Sequence, residues 1–149
     1  MSARHLTVVH YPPGKHWTCL EVVSPTWEAV SAAILKMDDD QYPIVQLSWK
    51  DVESGFDDEE SFNVIGGHLT GFALFECVKG WEFDDPAGGD EEVRLWRSDQ
   101  GYFCHRRNIV AEVEEVLILA RIYFETGSYD AVQREVLARR GASRQGSLH

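Results

Sequence analysis

Positive charge is scarce in this chain. Its 149 residues hold 14 Lys and Arg against 25 Asp and Glu, a net charge of −11. Phosphate contacts need clustered cations, so the deficit argues against a nucleic-acid binder. Cysteine is scarce as well. Cys19, Cys77 and Cys104 are odd in number and widely spaced, which is not a disulfide framework and reads as reduced thiols in a cytoplasmic protein. Long apolar runs are missing. No segment approaches the roughly 20 residues needed to span a bilayer, and the start, MSARHLTVVHYPPGKHW, lacks the apolar stretch of a secretory signal. Metal-ligand spacings are missing too: there is no C-x-x-C and no H-x-x-x-H. Asp38-Asp39-Asp40 and Asp57-Asp58-Glu59-Glu60 lack the alternating oxygen ligands and central glycine of a calcium loop. These absences lead us to expect no cofactor, no metal, no membrane span and no nucleic-acid partner.

What is present is the composition of a folded domain. Hydrophobic residues make up 44% and charged residues 26%, and the length suits one hydrophobic core. Leu6–His10 and Trp17–Val23 read as strands of a first hairpin. Ser24-Pro25-Thr26-Trp27-Glu28 announces a helix, with Ser24 as the expected N-cap, Pro25 in the first turn and Glu28 in the acid-favouring region. Trp27, Val30, Ile34 and Leu35 give it an apolar face. Pro43–Trp49 alternates as a strand, followed by strands Phe62–Ile65 and Phe72–Val78, then Val93–Arg97 and Tyr102–His105. A long helix is expected from about Ile109 to Thr126, apolar over most of its circumference and capped by Gly127. Ser128 can cap a last short helix, Tyr129–Arg139. The expected architecture is α+β: a single domain over residues 1–140, an antiparallel β-sheet packed against an N-terminal helix and a long C-terminal helix, and a flexible tail over 141–149.

The segment Gly66-Gly67-His68-Leu69-Thr70-Gly71 has the glycine spacing of a phosphate-binding loop. That loop needs Lys and then Ser or Thr after the second glycine, opening a helix. Here Phe72-Ala73 follows, within the β-rich run FALFECV. The segment therefore reads as a hairpin turn whose glycines permit positive φ. His68 then sits at the turn, with no nucleophile or carboxylate partner named by the sequence. Cys104 and His105 are neighbours on a strand and point to opposite faces, so they cannot form a nucleophile–base pair with each other. His68 or His16 could approach Cys104 in the fold, but the sequence names no such pairing.

The acids cluster in two loops. Loop 50–60 carries Asp51, Glu53, Asp57, Asp58, Glu59 and Glu60, and loop 84–92 carries Asp84, Asp85, Asp90, Glu91 and Glu92. Such clusters serve solubility, or they steer a basic partner and hold it around aromatic anchors such as Trp49, Phe56 and Trp81. Residues 128–149 have four arginines against two acids, so the remaining 127 residues carry −13.

The order of features resembles the small immunity proteins of bacterial polymorphic and contact-dependent toxin systems, especially the first-described immunity family with its paired glycines. The resemblance rests on the helix Trp27–Asp38, the strand Ile44–Leu47, an acidic loop, a strand ending in Gly66-Gly67, and a long helix closing in Phe124-Glu125-Thr126-Gly127. It covers roughly residues 20 to 137. Where that family carries Gly-Gly-Gln before the last helix, this chain reads Asp99-Gln100-Gly101-Tyr102. The resemblance implies a non-catalytic protein that binds one cognate toxin domain; the sequence leaves open whether it is a monomer or a dimer. The acids Asp51, Glu53, Asp57, Asp58, Glu59, Glu60, Asp84, Asp85, Asp90 and Glu91, together with Trp81, are the expected toxin-binding residues. Two other classes stay open: a small enzyme or ligand-binding domain using His68, Cys104 or His105, and an oligomerising structural or assembly protein.

Overall fold

A computed structural model describes residues 1–50, 61–76 and 80–147. Among the described residues, eight strands and three α-helices form the domain. In chain order they are β1 (His5–His10), β2 (Thr18–Val23), α1 (Trp27–Leu35), β3 (Ile44–Ser48), β4 (Ser61–Gly67), β5 (Gly71–Phe75), β6 (Glu92–Leu95), β7 (Tyr102–His105), β8 (Ile109–Val110), α2 (Val113–Thr126) and α3 (Tyr129–Ser147). Six strands make one sheet in the order β2-β1-β3-β4-β5-β8, antiparallel throughout. β6 and β7 form a separate two-stranded sheet.

Alternation along the strands sorts the side chains into two layers. Leu6, Val8, Val45, Leu47, Val64 and Leu74 face the helices and pack with Val30 and Ile34 of α1, Leu119 and Phe124 of α2, and Val132 and Val136 of α3. Val9, Ile44, Ile65 and Ala73 face the other way and pack under Leu95 and Cys104 of the β6–β7 hairpin. The chain is thus helices, sheet, then hairpin. The α+β class, the antiparallel sheet and its packing against an N-terminal and a long C-terminal helix are as the sequence pattern predicts.

Several boundaries differ, each for a local reason. The N-cap of α1 is Thr26, whose Oγ1 accepts from the Ala29 N–H at 3.1 Å. Ser24 instead takes a left-handed φ of 51° and donates its N–H to Arg4, so Pro25 precedes the helix rather than opening it. The long helix begins at Val113, not near Ile109. Ile109 and Val110 pair with Ala73 and Phe72 as β8, because two β-branched residues at a sheet edge continue the ladder more readily than a helix. The strand expected to run to Arg97 stops at Leu95, since Trp96 adopts a φ of 59° and leaves the ladder. The last helix passes Arg139 and reaches Ser147; Arg139 and Arg140 are held there by Glu115 of α2.

The glycine segment is a hairpin between β4 and β5, as its pattern predicts, with Gly67 paired to Gly71 across the turn. Its glycines also admit a second chain. A Cβ on Gly67 would lie 2.5 Å from the Asp38 carbonyl carbon and 2.6 Å from the Asp39 nitrogen. The α1–β3 connection therefore crosses directly over the paired glycines, bridging Asp38 to Gly67.

Candidate functional site

The described part of the expected binding region is Trp81 and the loop 84–92. Asp85 caps a single 3-10 turn, Pro86–Gly88, by accepting from the Ala87 N–H at 3.1 Å. A second 3-10 turn, Arg106–Asn108, lies against it and supplies two arginines. Gly88 makes this possible, since a Cβ there would meet the Arg107 Cα at 2.7 Å. Arg107 grips Asp84 in a two-pronged pair, Nε to Oδ1 at 2.5 Å and Nη2 to Oδ2 at 3.0 Å, and reaches Asp90 at 3.5 Å. The hydrogen bonds from Arg107 hold the Asp84 carboxyl below its ordinary pKa. Arg106 lies 3.6 Å from Glu91. Asp85 receives Arg140 from α3 at 2.9 Å.

Asp84, Asp85, Asp90 and Glu91 thus each face an arginine of the same chain. The two tight pairs hold Asp84 and Asp85 in the fold. The longer contacts leave Asp90 and Glu91 with side chains 81% and 73% exposed, so those two still present charge to solvent. Trp81 is half-buried. Its indole donates to Gln133 Oε1 at 2.9 Å and its rings stack 6.0 Å from Phe62, which ties α3 to the core. Asp51, Glu53, Asp57, Asp58, Glu59 and Glu60 lie outside the described residues.

Among the described residues, His68, Cys104 and His105 gather no reactive group around them. His68 is exposed at the β4–β5 turn, and its Nε2 lies 2.7 Å from the carbonyl of Leu35 at the end of α1. Cys104 is buried while His105 is exposed, on opposite faces of β7. Burial, and then the charge of Glu82, push the Cys104 thiol up to about 11. Burial raises Cys19 as well. Both stay protonated near neutral pH, the unreactive form of a thiol. Among the described residues, no group of three or more His, Cys, Asp or Glu is placed to hold a metal ion, and no helix is long and apolar enough to cross a membrane.

Two features escaped the sequence reading. The first is a polar row across the sheet: Thr7, Gln46 and Asn63 are in register on β1, β3 and β4, with His5, Ser48 and Ser61 in the next row. Gln46 Nε2 donates to Asn63 Oδ1 at 2.6 Å, and Asn63 Nδ2 donates to the carbonyls of Ser61 and Phe75. Period-two polar positions in otherwise apolar strands were the available signal. The second is a groove of about 460 Å³ between α1 and the β1–β2 hairpin. Leu6, Val8, Leu20 and Val22 form one wall, and Ala29 and Ala33 of α1 form the other. His10 stacks on Tyr42 at 4.3 Å at one end, with Lys36 4.4 Å above the Tyr42 ring. This groove had no sequence signal, because the alanines that open it are ordinary helix formers.

No family model matches the chain, and neither a curated protein nor a solved structure does.

Proposed function

We propose that this chain is a non-catalytic immunity protein that binds a cognate, basic toxin domain of bacterial origin in the cytoplasm and blocks it. The observation that carries this reading is an acidic exterior that the chain does not neutralise. Arg97, Arg106, Arg107, Arg121, Arg139 and Arg140 each pair with an acid of the same chain. Glu28, Asp40, Glu92, Glu112, Glu114 and Asp130 are exposed and have no cationic partner among the described residues. A surface of one sign raises the encounter rate with an oppositely charged protein and repels nucleic acid. The order of elements adds to this: α1 from Trp27, β3, the Gly66-Gly67 end of β4, and the Phe124–Gly127 close of α2 follow the order of the immunity proteins that the sequence resembles.

The reading requires a toxin gene beside this chain's gene, and the test is co-expression with that toxin's C-terminal domain. Growth should be restored, and the two proteins should co-purify as a stable complex. Loss of both results removes the proposal.

A further inference from the structure

The sequence pattern predicts a strand over Val93–Arg97, yet β6 ends at Leu95. Trp96 is the cause, with its left-handed φ of 59°. That conformation is rare for a bulky side chain and persists only where the surroundings hold it. Asp39 holds it. Its carboxylate, 1% exposed, accepts the Trp96 N–H at 2.6 Å, and its carbonyl accepts the Arg97 N–H at 3.0 Å. Arg97 closes back, with Nε 3.3 Å from Asp39 Oδ2 and Nη2 donating to the Asp38 carbonyl at 3.3 Å. Asp39 is itself left-handed, with φ 65°, and lies on the crossing over Gly67. Two residues of unfavourable backbone, far apart in the chain, thus clasp each other.

A second arrangement is open to the same residues. β6 and β7 pair Leu95 with Tyr102. One more step of that register sets Trp96 opposite Gly101, and the next sets Arg97 opposite Gln100. Ser98 and Asp99 then form a two-residue loop, the commonest hairpin connection. Trp96 would return to extended backbone, which suits an aromatic residue. The local pattern favours one state and the contact with Asp39 favours the other. Conflicts of this kind concentrate at strained or functional sites.

We propose that Asp39 and the Trp96 turn form a two-state latch. Latched, the carboxylate holds Trp96 left-handed and Arg97 is closed on the α1–β3 connection. Released, β6 runs on to Arg97, and Asp39 and Arg97 both turn to solvent. The latch changes the charges shown at this end of the molecule while the six-stranded sheet stays intact. It does not depend on the immunity reading.

The groups around Asp39 set its response to pH. Arg97 is the cation beside it. Asp38 turns its Oδ1 to the N–H groups of Asp40 and Tyr42, and the Asp40 side chain is exposed. Asp99 accepts from Tyr11 at 2.7 Å, and its carbonyl accepts from Arg94. On the β4–β5 turn the Thr70 hydroxyl favours the ionised carboxylate, while His68 is engaged with the Leu35 carbonyl. Burial outweighs the pull of Trp96, Arg97 and Thr70 and raises the Asp39 carboxyl above its ordinary 3.8. The latched state therefore holds a proton that the released, solvated carboxyl gives up. Latching strengthens as pH falls through the raised value and is weakest where Asp39 is ionised in both states.

The test is amide hydrogen exchange of the isotope-labelled full chain between about pH 4 and pH 7, corrected for intrinsic rates. The Trp96 and Arg97 amides should open locally, ahead of the central strands, and their protection should rise at least about threefold from the upper pH to the lower. Asp39→Asn keeps an acceptor for the Trp96 N–H and should flatten that dependence. Arg97→Gln, at an exposed position, should lower protection near neutral pH and steepen the dependence. Asp39→Gly removes the carboxylate while glycine keeps the left-handed crossing. In that variant Trp96 should become extended, with a nuclear Overhauser contact to Gly101. Exchange of both amides only with the whole molecule would overturn the latch. So would protection indifferent to pH, an equal slope in Asp39→Asn, or a Trp96 still left-handed in Asp39→Gly.

Discussion

Gly67 carries more of the fold than a turn glycine usually does. The Asp38–Asp39 backbone passes within 2.7 Å of where its Cβ would sit, and no flexible side chain is there to yield. Gly67→Ala should cost about 1–3 kcal/mol, the usual range for overpacking, read as a lower urea midpoint at constant slope. Gly14 makes the comparison: it has φ +69° but nothing within 4 Å of a Cβ, so Gly14→Ala should cost only the conformational strain, about 1 kcal/mol. Equal losses would mean that the crossing is not close. Cys104 makes a second residue-scale prediction. Its pKa in the folded chain, about 11, lies above the ordinary value of 9.0. The folded state therefore holds a proton that the unfolded state releases, so this contribution is present below pH 9 and is lost as pH rises through 11. Stability should fall across that window, and Cys104→Ala should remove part of the fall. At pH 8 the thiol should resist alkylation in the folded protein and react once it is unfolded. Rapid alkylation of native Cys104 would contradict its burial.

At the scale of elements, the joint between α2 and α3 is electrostatic as well as apolar. Glu115 in the first turn of α2 is 8% exposed. It takes Arg140 in two bonds, Nη1 to Oε2 at 2.5 Å and Nη2 to Oε1 at 2.9 Å, and Arg139 at 3.1 Å. Hydrogen bonding to Glu115 raises the Arg140 pKa. Arg140 also lies 5.1 Å from the centre of the Phe83 ring. Glu115→Ala would leave two arginines at a shielded joint, with only Asp85 to answer Arg140. The expected loss is about 3 kcal/mol, the low end for breaking a shielded pair, with helical circular dichroism falling before the β-sheet signal as α3 loosens. Fully concerted loss of both signals at an unchanged midpoint would show that Val132 and Val136 suffice to hold the helix. The element order, the two hairpins and the helix faces were readable because each rests on a repeat of two or 3.6 residues and on nearby turn residues. The start of α2 was misplaced because Val110 continues the helical spacing of Val113 and Leu117 backwards into β8. Ile109 and Val110 belong to the sheet only because β5 lies beside them.

At the scale of the whole molecule, charge governs encounter more than fold. Reversing Glu92 and Glu114 together moves the net charge from −11 to −7, and neither acid is paired within the described residues. The association rate with a basic toxin domain should drop by about tenfold at low salt, converge on the parent rate as salt rises, and leave dissociation nearly unchanged. Stopped-flow mixing at several ionic strengths checks this. A rate indifferent to both salt and the reversals would remove steering from the proposed function. The candidate surface was legible only as composition. The acids of loop 84–92 were visible in the chain, but their partners were not: Arg107 lies 23 residues from Asp84, and Arg140 lies 55 from Asp85.

The sequence by itself determined the α+β class, the β1–β2 hairpin, the glycine hairpin over Gly66–Gly71, the helix faces and the negative surface. Those properties come from local periodicity, turn chemistry and a sum of charges, none of which depends on which distant segments meet. Tertiary structure decided which acids remain available, that Trp81 anchors α3 through Gln133 and Phe62, and that β2 is the terminal strand of the sheet among the described residues, beside an alanine-walled groove. The physical reason is the same in each case. An ion pair, a packed ring or a free strand edge is defined by what lies a few ångströms away in space, and the residues that supply it lie tens of positions away in the chain.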